Sequence, residues 1–559
     1  MSKVYGNTNG LKGSQLKQLE RFYQRRISPH SIITPEFARQ LAALAADTNR
    51  QIGVLVNRKG IITHVIVGTY HGLLIPDLSG FRLAGIRLSG LRLLHVHLRS
   101  EPLTQDDLTD LALLRLDMIA ALGLDREGFP GKMFVAHLLP SNPEHQQWRV
   151  NEFAHYTDAD IDALELVDSL EEEFTRQQKS FAVDSNGERA ILISASQQSK
   201  TGIEESLQEL QELARSCNIL VLDQVIQHRT HDRPYLLGKG KIQELVIRSL
   251  QLGATVLIFD GELTPAQVKS ITDVTELKVI DRTQLILDIF AQRAHSKGGK
   301  IQVELAQLKY LLPRLVTKNT AMSRLTGGIG GRGPGETKLE INRRRVRERI
   351  HRLEKEIQAL QKDRSTRSKK REKGHLPIIS IVGYTNVGKS TLLNALTRSS
   401  VHTEDRLFAT LDPTSRRLRF PRDTEAIITD TVGFISDLPR ELINAFRATL
   451  EELSQADLLL HVTDVGNPQF EHQMEACERL LDSLGLSHVP VLRVFNKQDA
   501  FPDKDLLKNL CRLYNAVAVS ALDPATLLPL AERIEVFFLD ATSDGAEAIP
   551  SSALAQMVV

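Results

Sequence analysis

Cysteine is scarce: Cys217, Cys477 and Cys511 are the only three in 559 residues, and they stand far apart with no metal-type pairing. That excludes a disulfide framework and a thiolate metal site, and it fits a reducing compartment. Long apolar runs are also missing. No stretch reaches the roughly 20 uncharged residues needed to cross a bilayer, and the opening Met1–Gln15 carries no apolar signal segment. The expected location is the cytoplasm, with transient association at a membrane surface as an alternative. Net charge is nearly absent, at +1. No global field would draw the chain onto nucleic acid, so any electrostatic footprint must be local.

What is there is the balance of an ordinary soluble protein: 42% apolar and 25% charged residues, over a length that implies several domains and more than one core. Five segments are expected. Residues 1–180 read as an α+β extension. In it, Gln51–Val56 and Ile61–Gly68 flank the turn signal Asn57-Arg58-Lys59-Gly60 as a β-hairpin. Leu103–Leu122 reads as an amphipathic helix. Residues 181–290 alternate short apolar strands with helices, which implies a parallel sheet. Residues 291–375 read as long helices interrupted by Thr326–Gly335, a glycine-dense run that cannot be helical. Residues 376–540 read strand, loop, helix and then further β/α alternation, a doubly wound sheet. Residues 541–559 are a polar, small-residue tail.

The chemistry concentrates in the fourth segment. The strand-like Ile378–Val382 runs into Gly383-Tyr384-Thr385-Asn386-Val387-Gly388-Lys389-Ser390 and then a helix, which is G-x-x-x-x-G-K-S in the context it needs. The glycines let backbone N–H groups turn inward around phosphates, and the helix N-terminus adds partial positive charge. Lys389 offers a point charge to the β- and γ-phosphates. Ser390 offers a hard oxygen to Mg²⁺. Asn496-Lys497-Gln498-Asp499 follows another apolar strand. A carboxylate at Asp499 can accept from N1–H and the exocyclic amine of guanine, which adenine cannot match. Asn496 would tie the base edge to the loop, and the Lys497 stem would cover the ring. Ser520-Ala521-Leu522 can offer backbone N–H groups to guanine O6.

Asp430-Thr431-Val432-Gly433 ends a further strand. Asp430 is placed to bind Mg²⁺ through water, and the Gly433 N–H to sense the γ-phosphate, a contact that orders a loop in the triphosphate state and releases it on hydrolysis. Thr410, in Phe408-Ala409-Thr410-Leu411-Asp412, is the candidate switch threonine and second Mg²⁺ ligand, with Thr403 and Thr414 as competitors on spacing. Lys389, Thr410 and Gly433 are the candidate catalytic residues. The position after Asp-x-x-Gly, where many GTPases carry a water-orienting glutamine, is Phe434. That predicts slow intrinsic turnover helped by a partner.

These motifs, with Leu237–Leu245, Asp260–Gln267, Val279–Ala294, Val303–Leu308, Gly327–Lys338 and Phe408–Asp412, resemble the HflX GTPases of the Obg-like group over about residues 190–540. The resemblance implies an α/β multidomain protein. Its parts would be a P-loop GTPase sheet, an α/β domain with a long helical hairpin before it, and an extra α+β extension ahead of both. It implies Thr410 as the switch threonine and a family that lacks the glutamine. It implies binding to the 50S ribosomal subunit and its rRNA, dissociation of stalled or idle 70S particles under stress, GTP and GDP as ligands with ATP as a further one, Mg²⁺ as cofactor, and a monomer. The alternative is a GTP-switched RNA-binding factor in subunit assembly that does no splitting.

An RNA partner has support of its own. Arg343–Lys373 holds fourteen Lys/Arg against five acids, a local net of +9 in a nearly neutral chain. The competing reading is a solvated helix with i,i+4 pairs such as Arg344–Glu348. The loop Gly327–Gly335 is too long and glycine-dense for a structural turn, which makes it a candidate RNA probe with Arg332 as its contact. In the extension, His95-Val-His97 and Thr104-Gln-Asp-Asp107 resemble the H-x-H…S-x-x-D zinc motif of JAB/MPN-fold metalloproteases. The spacing is one residue short, threonine replaces serine, and no upstream glutamate is evident. A metal-free fold used for contacts is therefore the expectation.

Overall fold

The structure, a computed structural model, describes residues 3–76, 78, 88–144, 146–182, 187–228, 236–275, 277–314, 338–371, 376–397, 408, 414–420, 425–431, 433–435, 443 and 451–543. The chain divides into two compact units, Met1–Leu207 with Asn218–Ile280, and Gln208–Cys217 with Asp281–Val559.

The first unit holds two sheets. Its seven-stranded sheet has the order β1-β3-β2-β4-β5-β6-β7. The strands are β1 (Val4–Gly6), β2 (Ile52–Asn57), β3 (Ile62–Val67), β4 (Leu91–His97), β5 (Met118–Leu124), β6 (Pro130–Leu138) and β7 (Trp148–Phe153). The expected hairpin is present as antiparallel β2 and β3. Its turn is closed by the Asn57 side chain, which accepts from the N–H groups of Lys59 and Ile61 at 3.0 Å each. Gly60 sits there at φ +75°, where an added Cβ would meet the Ile27 carbonyl oxygen at 1.9 Å, so no side chain fits. Helices α1 (Gly13–Phe22), α2 (Pro35–Thr48), α3 (Gln105–Leu113) and α4 (Ala163–Ala182) accompany this sheet.

The expected helix over Leu103–Leu122 is half right. Helix α3 stops at Leu113, Arg115 turns at φ +49°, and Met118–Leu124 is a strand buried along its whole length between β4 and β6. A strand covered on both faces reads as a continuous apolar run with no alternation, so periodicity could not separate it from the helix before it. Beneath this sheet Arg58 donates to both oxygens of buried Asp117 at 2.7 and 2.9 Å and to Glu171 at 2.8 Å. Such a pair is costly to break, because the remaining carboxylate would be buried alone.

The second sheet of this unit has the order β11-β10-β8-β9, from β8 (Arg189–Ser196), β9 (Leu220–His228), β10 (Val256–Phe259) and β11 (Lys278–Asp281). Strand β8 pairs in parallel with both β9 and β10. Helices α5 (Lys200–Ser216), α6 (Lys239–Leu252) and α7 (Pro265–Thr275) intervene, so the parallel α/β reading of this segment holds.

In the second unit, α8 (Arg282–Arg293) leads to α9 (Lys297–Arg314), which lies beside α10 (Lys338–Arg371). Ile301, Leu305 and buried Leu353 form the seam, and Arg349 grips Glu304 with two 2.7 Å bonds. The glycine-rich Thr326–Gly335 lies outside the described residues. The six-stranded sheet has the order β13-β14-β12-β15-β16-β17, built from β12 (Ile378–Gly383), β13 (Thr414–Arg419), β14 (Glu425–Asp430), β15 (Leu458–Asp464), β16 (Val491–Asn496) and β17 (Ala516–Ala518). It is parallel except for β13, and helices α11 (Lys389–Thr397), α12 (Phe470–Ser483), α13 (Lys504–Leu513) and α14 (Leu528–Ser543) connect and complete it. No helix among the described residues is long and apolar enough to cross a membrane.

Candidate nucleotide site

Strand β12 lies between β14 and β15, which aims its carboxyl end at the switch point of the sheet. The chain there turns through Gly383 at φ +152°, Asn386 at φ +62° and Gly388 at φ +89° before α11 begins. A Cβ on Gly383 would meet the Val462 carbonyl oxygen at 2.2 Å, and one on Gly388 would meet Asn496 Nδ2 at 2.5 Å. Both glycines are therefore imposed by neighbours on other strands, which hold the loop in an open curve.

Lys389 and Ser390 open α11. The Lys389 ammonium is buried and donates to the Tyr384 carbonyl oxygen at 2.6 Å. Burial lowers its pKa to about 8, although the Asp430 charge works in the opposite direction. Ser390 Oγ donates to Asp430 Oδ2 at 2.6 Å, which brings two hard oxygen groups together beside that ammonium. Thr385 Oγ1 is buried with no hydrogen-bond partner among the described residues. An unmatched buried hydroxyl beside a desolvated ammonium is what a phosphate would satisfy. The Ser390–Asp430 oxygens fit a hydrated Mg²⁺.

The Asp-x-x-Gly segment is attached to this loop through the backbone. Thr385 N–H donates to the Phe434 carbonyl at 2.7 Å, and Phe434 N–H to the Gly383 carbonyl at 3.0 Å. The Phe434 ring is buried. The residue at the glutamine position is thus a core side chain whose main chain bridges two nucleotide motifs. Gly433 lies so close to the P-loop that an added Cβ would meet Thr385 Cγ2 at 2.8 Å and Lys389 Nζ at 2.9 Å. Thr431 donates to the Ile381 carbonyl at 2.6 Å.

The base-side motif converges on the same loop. Asn496 donates to the Val387 carbonyl at 2.8 Å and accepts from Ala521 N–H at 3.0 Å. Lys497, at φ +60°, donates to the Asn386 carbonyl at 2.9 Å and pairs with Asp464 at 2.8 Å. Asp499 is exposed on the turn after β16, beside Gln498. Ser520 N–H is held by Thr526 Oγ1 at 2.9 Å, and Leu522 is largely exposed. Of the switch stretch, Phe408 is described and buried; Ala409, Thr410, Leu411 and Asp412 lie outside the described residues, as does Val432.

Some neighbours were invisible in the motifs. The Tyr384 hydroxyl donates to Glu209, which also receives Arg282. Phe408 packs on Phe290 with ring centroids 4.7 Å apart. Arg282 and Phe290 fall in a stretch the sequence does single out. Glu209 lies on α5 in no motif, and only the fold brings it to the loop.

A phosphate loop on β12, an Asp-x-x-Gly segment joined to it and an Asn-Lys-x-Asp turn locked beneath it define a P-loop GTPase. Three family models match in succession: "GTP-binding GTPase N-terminal" over residues 204–291, "GTP-binding GTPase Middle Region" over 293–371 and "50S ribosome-binding GTPase" over 378–497. The chain is 49% identical over 313 residues to the GTPase HflX of Caldanaerobacter subterraneus, spanning 56% of this chain and 73% of that protein. It is 44% identical over 318 residues to the GTPase HflX of Escherichia coli, spanning 57% and 74%. The chain belongs to the HflX GTPase family and is a GTPase. A GTP-binding protein from the archaeon Sulfolobus solfataricus, solved with GDP, is 24% identical over 62% of this chain and 99% of its own, with a TM-score of 0.35.

Proposed function

We propose that this chain binds GTP with Mg²⁺ at the P-loop and uses its binding and hydrolysis to time engagement with the 50S ribosomal subunit, splitting stalled or idle 70S particles under stress. The observation that carries the nucleotide half is Asn496, whose two side-chain bonds join the phosphate loop to the turn after β17. This tie supports phosphate and base recognition acting as one unit. Lys389 and the N–H groups of the loop would cradle the phosphates, with Thr385 Oγ1 as a further donor. Asp499 would select guanine over adenine, and the Lys497 stem would cover the ring. Ser390 and Thr410 would hold Mg²⁺, with Asp430 acting through water; the ion would neutralise charge developing on the transferred phosphoryl group. Gly433 N–H would read the γ-phosphate, and the Phe434 backbone bridge would pass that reading to the loop.

Phe434 leaves the attacking water without a side-chain partner at the usual position, which supports slow turnover quickened on the ribosome. The RNA half rests on α10. Arg344, Arg345, Arg347, Arg352 and Lys355 are exposed along three turns. The Arg344–Glu348 pair at 3.7 Å is the one i,i+4 ion pair among the described residues of that stretch, and at such exposure it contributes little. A row of solvated cations suits a phosphate backbone.

Sucrose-gradient profiles of 70S ribosomes with added protein and GTP, GDP or a non-hydrolysable analogue test the proposal. Loss of the 70S peak with GTP supports it. Salt-sensitive 50S binding with an unchanged 70S peak would assign the chain to subunit assembly.

A further inference from the structure

The first unit carries a second polar cluster, remote in sequence from every nucleotide motif. His95 and His97 are alternate residues at the end of β4 and so share one face of the sheet. Both are buried. Their Nε2 atoms stand 2.8 Å apart, and Asp107 on α3 brings one carboxylate oxygen to 3.4 Å from His95 Nε2 and the other to 3.5 Å from His97 Nε2. Each of the three residues thus offers a ligand atom within 4.8 Å of the others. For metal–ligand bonds of about 2.05 Å, neighbouring donors lie about 2.9 Å apart at a right angle and about 3.3 Å apart at the tetrahedral angle. The Nε2–Nε2 separation and the approach of each carboxylate oxygen to its nearer imidazole lie close to those values.

Hydrogen bonding within the cluster leaves it incomplete. His97 Nδ1 lies 2.8 Å from the Glu101 carbonyl oxygen, which can only accept, so Nδ1 carries a proton and Nε2 is the nitrogen that faces the cluster. His95 Nδ1 is buried with no partner among the described residues. Whichever tautomer His95 adopts, its buried Nδ1 goes unmatched. The carboxylate is fixed by its own helix: Thr104 donates to Asp107 Oδ2 from both N–H and Oγ1 at 2.7 Å. On the neighbouring strands, Gly53 pairs with His95 and Gly123 with His97. Leu73 and Ser100 occupy the room that side chains there would take, which walls the cluster off.

We propose that His95, His97 and Asp107 bind a divalent transition-metal ion of the zinc class, and that the ion ties α3 to the end of β4. Two imidazoles and one carboxylate are a donor set for zinc or iron(II) and a poor one for magnesium. The consequence reaches beyond the extension. Two residues past the ligand Asp107, Thr109 Oγ1 contacts Gln243 Oε1 on α6 at 3.1 Å, so the helix that carries a ligand also carries a contact with a helix of the α/β layer in the same unit. A metal here is a staple that sets α3, which reverses the sequence-based preference for a metal-free fold.

The test uses the full chain, stripped with a chelator, loaded with Zn²⁺ alone or anaerobically with Fe²⁺ alone, desalted and assayed for metal by mass spectrometry. One equivalent of zinc or iron is expected in the wild type, falling at least about tenfold in His97→Gln and Asp107→Asn. Zinc should raise the melting temperature of the wild type and leave that of Asp107→Asn unmoved. Should a variant fold poorly, the visible absorption of the Co²⁺-loaded wild type decides by itself, because histidine–carboxylate coordination gives d–d bands that aqueous cobalt lacks. A wild type that retains no metal, retains only Mg²⁺, or shows the cobalt spectrum of the aqueous ion overturns the proposal. So does zinc retained unchanged in both folded variants.

Discussion

The nucleotide loop and the histidine cluster both bury polar groups beside the end of a strand, yet they are built in opposite ways. The loop uses eight consecutive residues and aims its backbone inward, so its chemistry is a property of local sequence. The cluster uses three side chains from a strand and a helix, and its spacing matches a zinc motif only loosely. A contiguous site tolerates almost any scaffold that provides a strand and a helix. A dispersed one exists only if the scaffold brings its parts within about 3 Å, which is why its geometry outweighs its motif.

The sharpest test of this contrast is Lys389→Ala. It removes the one buried cation from the phosphate cradle and should lower kcat/KM for GTP by about 10³-fold in a phosphate-release assay, with the fold intact by circular dichroism. A loss of less than tenfold would break the reading of a single local cradle. Next comes Arg58→Ala, in the other unit. It strands buried Asp117 and should cost about 3 kcal/mol, read as an earlier unfolding transition of that unit in urea. If GTP affinity falls in parallel, the two regions are not independent.

Asp499→Asn should weaken GTP binding by about 2 kcal/mol while leaving ATP binding nearly unchanged, as measured by competition with a fluorescent analogue. Equal losses for both nucleotides would remove guanine selection from that carboxylate. The smallest effect is that of pH. Burial holds Lys389 at about 8. Below that pH the ammonium is already charged without nucleotide, and affinity should be flat. Above it, the lysine must take up a proton as the triphosphate arrives, so GTP affinity should fall by up to about tenfold per pH unit. Titration of Kd between pH 7 and pH 9, on the order of one unit either side of that pKa, checks the sign.

The sequence yielded most of this fold where elements are amphipathic or carry turn chemistry. The alternation from Arg189 to Asp281 reads as a parallel sheet because each strand is short and bounded by a helix. It failed at Met118–Leu124, where burial on both faces erased the alternation. At the site, Gly383–Ser390 and Asn496–Asp499 were legible because backbone geometry and guanine chemistry demand those residue types. Glu209 was not, since a lone glutamate on an amphipathic helix has the same spacing whether it faces water or Tyr384.

By itself, then, the sequence determined that this chain is a GTPase of the HflX family, because the phosphate loop, the guanine motif and the family's further stretches are each written in consecutive residues. Only the tertiary structure decided that the Phe434 backbone bonds to the phosphate loop, that Asn496 reaches that loop 109 residues away, and that His95, His97 and Asp107 bring ligand atoms within 4.8 Å of one another. Those are distances set by how strands pair and helices pack, which a pattern in the sequence can suggest, as it did for the two histidines, but cannot measure.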